Sequence, residues 1–360
     1  MSGQEGREKN VFEIAPPLAF RTRVGLDLAH TQERNTSGFN IYGLDLLAAG
    51  VMHENVSFLL IYTPRVDEPA ADFSGAGDGA NPSQLGTLES ANVVFSNIVH
   101  DHVGLRVGRL EPAYHAFSSK RSYYALQPYE IYGFGTPAGG FSFEDNQMGL
   151  EATGRLRRGC RYGVGVVNGS GASPDNNKAK DVYLRLSHVL GRGEGQSAGQ
   201  RLGFFGYRGW QPTTVADSTP SPLGEADGRG NESFYRVGGD LSLNWSTFNL
   251  QALYLYGKDN KTFNWRVPTQ DYKYSGGFVQ LDYAGLMDNR LLASALYNWV
   301  QPPSSDAPRE VRAFAALLRY YLGDWTAVNV ALHAEYAHRQ VGKKSPQKED
   351  LVTLLVDFAF

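Results

Sequence analysis

The chain has 360 residues, and its composition favours strands and turns over helices: 41 glycines, 20 tyrosines and 19 phenylalanines stand against four methionines. The formal net charge of −3 comes from acids and bases dispersed along the chain, so it gives no support to a nucleic acid as partner. The single cysteine, Cys160, excludes an internal disulfide and a c-type haem attachment site.

Two kinds of apolar segment are missing from the sequence. The first seventeen residues, MSGQEGREKNVFEIAPP, carry no apolar run after their basic residues, so as they stand they do not form a secretory signal peptide. Nowhere do 18 or more apolar residues follow one another, which argues against a transmembrane helix.

From Pro17 onward, stretches of about ten residues alternate between apolar residues and polar residues or glycine. In the first stretch Leu18, Val24 and Leu28 share one face, and Arg23 and Asp27 share the other. Similar splits occur near residues 147–157 and 326–338. Soluble sandwiches also alternate in this way, so a single strand does not identify the fold.

The number of strands and the lengths of their connections separate the alternatives. Sixteen strands are predicted, at 17–31, 38–51, 54–65, 88–99, 102–111, 145–157, 160–169, 181–190, 200–210, 233–245, 247–257, 272–284, 290–301, 310–322, 325–338 and 350–360. Short turns alternate with long loops, and the longest loop is 112–144. This asymmetry is typical of a closed antiparallel transmembrane β-barrel, whereas a sandwich or a propeller has no reason to sort its loops by length.

Aromatic residues cluster near the ends of the predicted strands, where a membrane barrel crosses the headgroup level. One predicted belt contains Tyr254, Tyr256, Tyr272, Tyr274, Tyr297 and Trp299. The other contains Tyr320, Tyr321 and Trp325. Aromatic residues that fill an ordinary core are the alternative interpretation.

Together these features resemble Gram-negative outer-membrane porins and, more loosely, the phosphate-selective porin family. The resemblance covers Pro17 to Phe360 and includes the ending VDFAF, with Phe358 and Phe360 matching the C-terminal signal of such barrels. Leu105–Leu126, LRVGRLEPAYHAFSSKRSYYAL, resembles the segment after which porins fold an external loop into the barrel. The chain departs from the phosphate-selective members, which carry a longer periplasmic N-terminal segment and a dense ladder of basic residues.

The resemblance implies a location and a set of partners. Residues 17–360 would form one barrel in the bacterial outer membrane, and residues 1–16 would form a periplasmic leader. Outer-membrane lipid and lipopolysaccharide would surround the barrel, and the barrel-assembly machinery would read Phe358 and Phe360. The resemblance also implies a homotrimer.

The 112–144 loop is the third external loop, and it is expected to fold inward and narrow a wide lumen. Lys120 and Arg121 lie in this loop and would raise the local concentration of anions in a narrow pore. A solvated surface loop is the alternative. Strand parity predicts further charges that face the lumen: Arg21, Arg23, Arg106, Arg155, Arg157, Arg185, Arg236, Arg312, Asp27, Glu151, Asp240, Asp282 and Glu335. Each of these could instead form a cross-strand ion pair that stiffens the wall.

Motifs for catalysis or cofactor binding are weak in this sequence. Gly163–Gly169 lacks the GxGxxG spacing, and 168–181 lacks the acid order of an EF-hand. His100 and His102 flank Asp101 at a proposed turn. Two histidines are a weak indication of a metal site, and the usual polarity of turn residues explains them as well. No GxSxG motif occurs. We therefore expect no enzyme activity, catalytic residue, metal site or cofactor.

The sequence as a whole predicts a channel for passive diffusion of small hydrophilic solutes or ions, with a weak preference for anions. The main alternative is a barrel that acts as a sleeve for a multihaem cytochrome and carries electrons across the membrane. Because the chain has no CxxCH motif, the haems would belong to that partner. A barrel-embedded hydrolase is a third alternative, since scattered Ser and His residues could meet on a barrel wall.

Overall fold

The strands of the chain follow one another with little other regular structure. The computed structural model describes residues 18–32, 35–64, 86–125, 129–136, 141–171, 173–175, 177–190, 200–212, 230–322 and 329–359. Its strands are β1 Leu18–Thr31, β2 Asn35–His53, β3 Val56–Thr63, β4 Thr87–Phe95, β5 Ile98–Asp101, β6 Gly104–Leu110, β7 Gln147–Arg157, β8 Cys160–Val167, β9 Asp181–Val189, β10 Arg201–Pro212, β11 Asn231–Trp245, β12 Phe248–Asp259, β13 Tyr272–Leu286, β14 Leu291–Gln301, β15 Val311–Tyr321, β16 Asn329–Val341 and β17 Gln347–Ala359.

Short 3-10 helices occupy Ser119–Arg121, Lys261–Phe263 and Ser304–Arg309. None of the helices in the described part of the chain is long and apolar enough to cross a membrane.

Sixteen strands pair in antiparallel order and close into one barrel, while the short β5 lies outside the ring. β1 pairs with β2 on one side and with β17 on the other, so the first and last strands form the closing seam. Each predicted segment corresponds to a strand of the ring, and the predicted sixteen-stranded fold is confirmed. Closure satisfies the backbone groups of every strand, as a membrane-spanning sheet requires.

The connections sort by length as predicted. The turns at 54–55, 158–159, 246–247 and 287–290 lie at one end of the barrel. The ends of β3, β4, β6 and β7 that lead into the two longest connections, 64–86 and 111–146, lie at the other. The 158–159 turn is tight because Gly159 adopts a φ of 80°, which a residue without a Cβ reaches easily. The sorting is not complete: 190–200 is long although it joins strands at the short-turn end, and 32–34 is short although it joins β1 and β2 at the opposite end.

The two faces of the wall differ in polarity. On β1 and β17 the outward residues Val24, Leu28 and Leu354 are 40–49% exposed, whereas the inward Asp27 and Asp357 are buried. The parity predicted for β1 is therefore confirmed, and β17 shows the same alternation. An apolar outer face on a closed barrel is the surface that lipid solvates, and the predicted location in the outer membrane agrees with it.

The aromatic belts differ in part from the prediction. Tyr254 and Tyr297 are half exposed on the outer face, as predicted. The expected places of Tyr272 and Tyr274 in the belt are wrong, because their parity on β13 points both rings into the barrel, where they are buried. Trp325 lies outside the described residues.

The hydrophobic core lies inside the barrel. Tyr114, Tyr132 and Phe143, from the segment between β6 and β7, are almost fully buried. Their rings contact wall aromatics such as Tyr183 and Phe278 at centroid distances of 5.0 and 6.0 Å. One side of the lumen is thus filled by packed aromatic side chains, and open space is left on the other side.

Candidate functional site: the inner segment and the lumenal cavity

The segment 111–146 touches inward-facing side chains of strands from widely separated parts of the ring. Tyr129 bonds to Gln280 on β13 at 3.1 Å, Tyr124 to Ser294 on β14 at 2.9 Å, and the Ala125 N–H to Glu335 on β16 at 2.8 Å. A segment that contacts β1, β9, β13, β14 and β16 of a closed barrel at once lies within it. We call the described parts of 111–146 the inner segment.

Arginines of the wall, together with Arg309 of the 3-10 helix Ser304–Arg309, hold the inner segment through its backbone carbonyls. Arg23 on β1 donates to the carbonyls of Ser122 and Tyr124 at 2.9 and 3.1 Å. Four other arginines do the same: Arg106 to Glu111 at 2.8 Å, Arg185 to Tyr114 at 3.4 Å, Arg201 to Ala116 at 3.3 Å and Arg309 to Gly135 at 2.8 Å. These guanidinium groups satisfy carbonyls that a loop inside a barrel would otherwise bury without partners.

A cavity of about 530 Å³ lies between the inner segment and the wall of β1–β4 and β6. It is off-centre because the aromatic core fills the opposite side. Its lining includes Arg21, Arg23, Tyr42, Asp45, Leu47, Leu59, Ile61, Thr63, Glu89, Ser90, Arg106, Glu111, Ser119, Lys120, Arg121, Tyr124, Ala125, Glu144 and Asn146. We call this space the lumenal cavity.

The predicted loop cations line the lumenal cavity, and each of them has an acidic partner. Lys120 forms an ion pair with Glu89, and Arg121 forms one with Glu111 at 2.9 Å. The Arg121 side chain is 69% exposed, so much of its surface faces solvent. Among the described residues, the lining holds five Arg and Lys side chains against four acids, a small basic excess.

Two carboxyl groups of the inner segment titrate differently. Burial alone would raise the pKa of Glu111, but the hydrogen bond and charge of His115 lower it to about 2. Burial and the negative charge of Asp145 raise the pKa of Glu144 to about 7, although Lys120 opposes the shift. The charge of the cavity therefore changes near neutral pH at Glu144.

Asp357 on β17 lies among three arginines at the closing seam. Arg23 and Arg319 contact it at 3.2 and 2.9 Å, and Arg21 lies 3.7 Å away. One carboxylate faces three guanidinium groups here. The region beside the lumenal cavity is therefore positive.

Glu151 and Asp240 are buried inside the barrel and hold other groups in place. Glu151 accepts hydrogen bonds from Arg106 at 2.8 Å, from the Ala113 N–H at 2.5 Å and from the Tyr183 hydroxyl at 2.6 Å. Asp240 contacts Arg185 at 2.9 Å and Arg201 at 3.6 Å. Both acids thus support arginines that bind the inner segment.

Three predicted residues lie away from the lumenal cavity: Arg155, Arg157 and Arg312. Arg155 pairs with Asp101 at 2.9 Å and lines a second cavity of about 440 Å³ at the short-turn end. Arg157 lies 3.4 Å from Cys160 at the rim, beyond a register shift in the β7–β8 pair. The lumen-facing prediction for Arg312 is wrong, because it is exposed on the outward parity of β15 and pairs with Glu310 at 2.8 Å.

Several cavity residues were not predicted: Asp45, Leu47, Leu59, Ile61, Glu89 and Glu144. The parity signal was weak in β2 and β3 because both of their faces carry aliphatic residues. Within the described part of the chain, no group of three or more His, Cys, Asp or Glu side chains is placed to hold a metal ion.

Comparison with solved structures identifies the same architecture in other proteins. No family model matches the chain, and no curated protein sequence matches it. The anion-selective porin from Comamonas acidovorans superimposes with a TM-score of 0.62 at 13% identity, over 96% of this chain and 99% of that one.

Two further structures are similar. The trimer form of in-vitro folded OmpT, an outer membrane protein of Vibrio cholerae, has a TM-score of 0.57 at 10% identity, over 96% of this chain and 100% of that one. The outer membrane channel DcaP of Acinetobacter baumannii has a TM-score of 0.59 at 11% identity, over 95% and 96%. None of the three is described as phosphate-selective. The chain has the fold of Gram-negative outer-membrane porins.

Proposed function

We propose that the chain is an outer-membrane channel through which small hydrophilic solutes and ions diffuse passively. The main supporting observation is a cavity lined by charged side chains of both signs, inside a closed barrel whose outer face is apolar. The outer face matches lipid, and the lining replaces part of the hydration of a passing solute. The inner segment sets the width of the passage.

Single-channel recording in a planar bilayer tests the proposal. The purified protein in KCl should give stepwise, ohmic current increments. A porin of known conductance, inserted under the same conditions, controls for the bilayer. Protein that inserts and carries no current at any voltage contradicts the channel function.

A weak anion preference is a finer part of the same proposal. The small basic excess of the cavity lining and the three arginines around Asp357 support it. The similar porin from Comamonas acidovorans is itself described as anion-selective. Fixed positive charge in a narrow passage concentrates anions and lowers their barrier.

Charge reversal of Lys120 and Arg121 to Glu should move the zero-current potential in a KCl gradient toward that of a cation-selective pore. Reversal of Arg157 and Arg158 to Glu is the matched control, since this adjacent basic pair is exposed at the 158–159 turn. An equal shift in both double variants would mean that Lys120 and Arg121 have no special position in the pore.

The sleeve for a multihaem cytochrome requires an open lumen. In this barrel the inner segment and its aromatic contacts occupy one side, and the lumenal cavity of about 530 Å³ is too small for a folded protein. This occupancy favours the channel over the sleeve. A haem protein that co-purifies in equal amount with the barrel would reverse that preference.

Partner interactions are also proposed from the porin fold. The trimer form of the similar Vibrio cholerae protein supports a homotrimer surrounded by lipid and lipopolysaccharide. Chemical cross-linking in outer-membrane vesicles should then give a three-subunit product. Phe358 lies on β17 and Phe360 lies outside the described residues. Changing both to Ser should lower the amount of assembled barrel if the assembly machinery reads them.

A further inference from the structure

Two opposite charges of the lumenal cavity face each other across neighbouring strands without forming an ion pair. Arg21 on β1 and Asp45 on β2 are register partners, and both line the cavity. Among the described residues, the nearest carboxylate to Arg21 is Asp357 at 3.7 Å, and Asp45 accepts a hydrogen bond from the Thr63 hydroxyl at 2.8 Å. The guanidinium and the carboxylate therefore both keep bonding capacity toward the cavity.

An aliphatic patch adjoins this pair. Leu47 and Ile61 are register partners on β2 and β3, and Leu47 lies two residues beyond Asp45 on the same face. Leu59 lies two residues before Ile61 and also lines the cavity. All three are partly exposed, and none belongs to the buried core that the inner segment forms with the wall.

Aliphatic side chains facing water in a polar lumen are unfavourable unless a solute covers them. The inner segment makes its core contacts on the other side of the barrel, so packing of that segment does not require this patch. The cavity thus offers a cation, an anion and an apolar surface as neighbours. A volume of about 530 Å³ lies in the range that holds one small organic molecule.

We propose that the lumenal cavity binds α-amino acids with apolar side chains, such as leucine, as they pass through the channel. The α-carboxylate bonds to Arg21, the α-ammonium bonds to Asp45, and the side chain lies on Leu47, Leu59 and Ile61. This inference rests on the proposed channel function and names a class of solute for it. A carboxylic acid without an ammonium group would leave Asp45 unpaired beside a second negative charge.

The test measures how leucine reduces the KCl current of single channels. Leucine should lower the mean current in a saturable way. Serine at equal concentration should block the current several-fold more weakly, because its side chain leaves the aliphatic patch exposed to water. Two probes that lack one charge, 4-methylpentanoate and 3-methylbutylamine, should each bind about tenfold more weakly than leucine, the effect of one lost charged hydrogen bond.

Variants assign the effect to the named residues. Asp45→Asn should weaken the block by leucine about tenfold while leaving the block by 4-methylpentanoate unchanged or stronger. Ile61→Thr keeps the branched shape and should lower the preference for leucine over serine. Glu54→Gln is the matched control, because Glu54 is exposed at the 54–55 turn.

The KCl current separates the two levels of the proposal. Absence of any current contradicts the channel function itself. A conducting wild-type pore that leucine does not block, or that 4-methylpentanoate blocks as strongly as leucine, overturns the amino-acid site and leaves the channel standing. Equal block by leucine in the wild type and in Asp45→Asn also overturns it.

Discussion

Two carboxyl groups of the inner segment have different environments, and this decides which of them responds to pH. Glu111 has its pKa lowered to about 2 against the effect of burial, because His115 bonds to it, so it stays ionised at any physiological pH. Glu144 has its pKa raised to about 7 by burial and by Asp145. Since Glu144 lines the cavity, its protonation adds to the basic excess there.

The ratio of chloride to potassium permeability should therefore rise as pH falls from about 8 to about 6. Above pH 7 the ionised Glu144 attracts cations, and below pH 7 its neutral form leaves Lys120 and Arg121 less opposed. Zero-current potentials in a KCl gradient, recorded at several pH values, measure the change.

Glu144→Gln should fix the permeability ratio at its low-pH value and remove the step near pH 7. Glu54→Gln, at the exposed 54–55 turn, should keep the step. A step that persists in Glu144→Gln assigns the titration to another group, such as Asp145, whose pKa burial also raises.

Strand parity predicted the inward direction of Arg23, Glu151 and Asp240 from the sequence. It did not predict what these side chains touch, because the partners are distant in sequence. Arg23, for example, binds the carbonyl of Tyr124, 101 residues away. The alternation of apolar and polar residues along a strand specifies which face of the wall a side chain lies on. The contacts of that side chain depend on how the inner segment crosses the lumen.

The position of the inner segment depends on side chains outside it, because arginines of the barrel strands donate hydrogen bonds to its backbone carbonyls. Arg23 is central because it binds two carbonyls and Asp357 at once. Arg23→Met should loosen residues 122–124 at a cost of about 1.5–3 kcal/mol per charged hydrogen bond lost. The expected result is a larger and noisier single-channel current.

Arg23→Lys distinguishes the effect of the hydrogen bonds made by the Arg23 guanidinium group from the effect of its positive charge. Lysine keeps the positive charge but lacks the planar fork that reaches two carbonyls, so its current should also be noisy. Arg208 is exposed on the outer face of β10, so Arg208→Met is the control and should not increase the noise of the single-channel current. If the single-channel current of Arg23→Met is no noisier than that of the wild type, Arg23 does not hold the inner segment in place.

The sequence predicted the strands well and the aromatic residues less well. Dyad alternation and turn residues defined the sixteen strands of the ring, because lipid and lumen impose opposite polarity on the two faces. Tyr272 and Tyr274 were misassigned because an aromatic at a strand end suits a lipid interface and an internal core equally. Tyr274 donates its hydroxyl to the carbonyl of Phe134, a contact that exists only where the inner segment meets β13.

The barrel as a whole depends on an uninterrupted apolar outer face. Leu354 lies near the middle of β17, between Leu26 of β1 and Ala334 of β16, and faces outward. Leu354→Lys should destabilise the barrel by about 2–4 kcal/mol, the cost of a basic side chain at the bilayer midplane. Urea unfolding in lipid vesicles, followed by tryptophan fluorescence, measures the loss.

The same substitution near the rim is the control for depth. Leu18 begins β1 at the short-turn end, so Leu18→Lys should cost about 0–1 kcal/mol, because a lysine there reaches the interface. Equal losses at both positions would mean that the apolar face does not lie in the hydrocarbon as the barrel geometry requires.

The seam between β1 and β17 is bonded to the inner segment as well as across itself. Asp357 comes from the last strand, Arg23 comes from the first, and Arg23 also grips the carbonyls of Ser122 and Tyr124. One side chain, Arg23, therefore links the first strand, the last strand and the inner segment. We expect a change at Arg23 to reach the closing seam and the inner segment together.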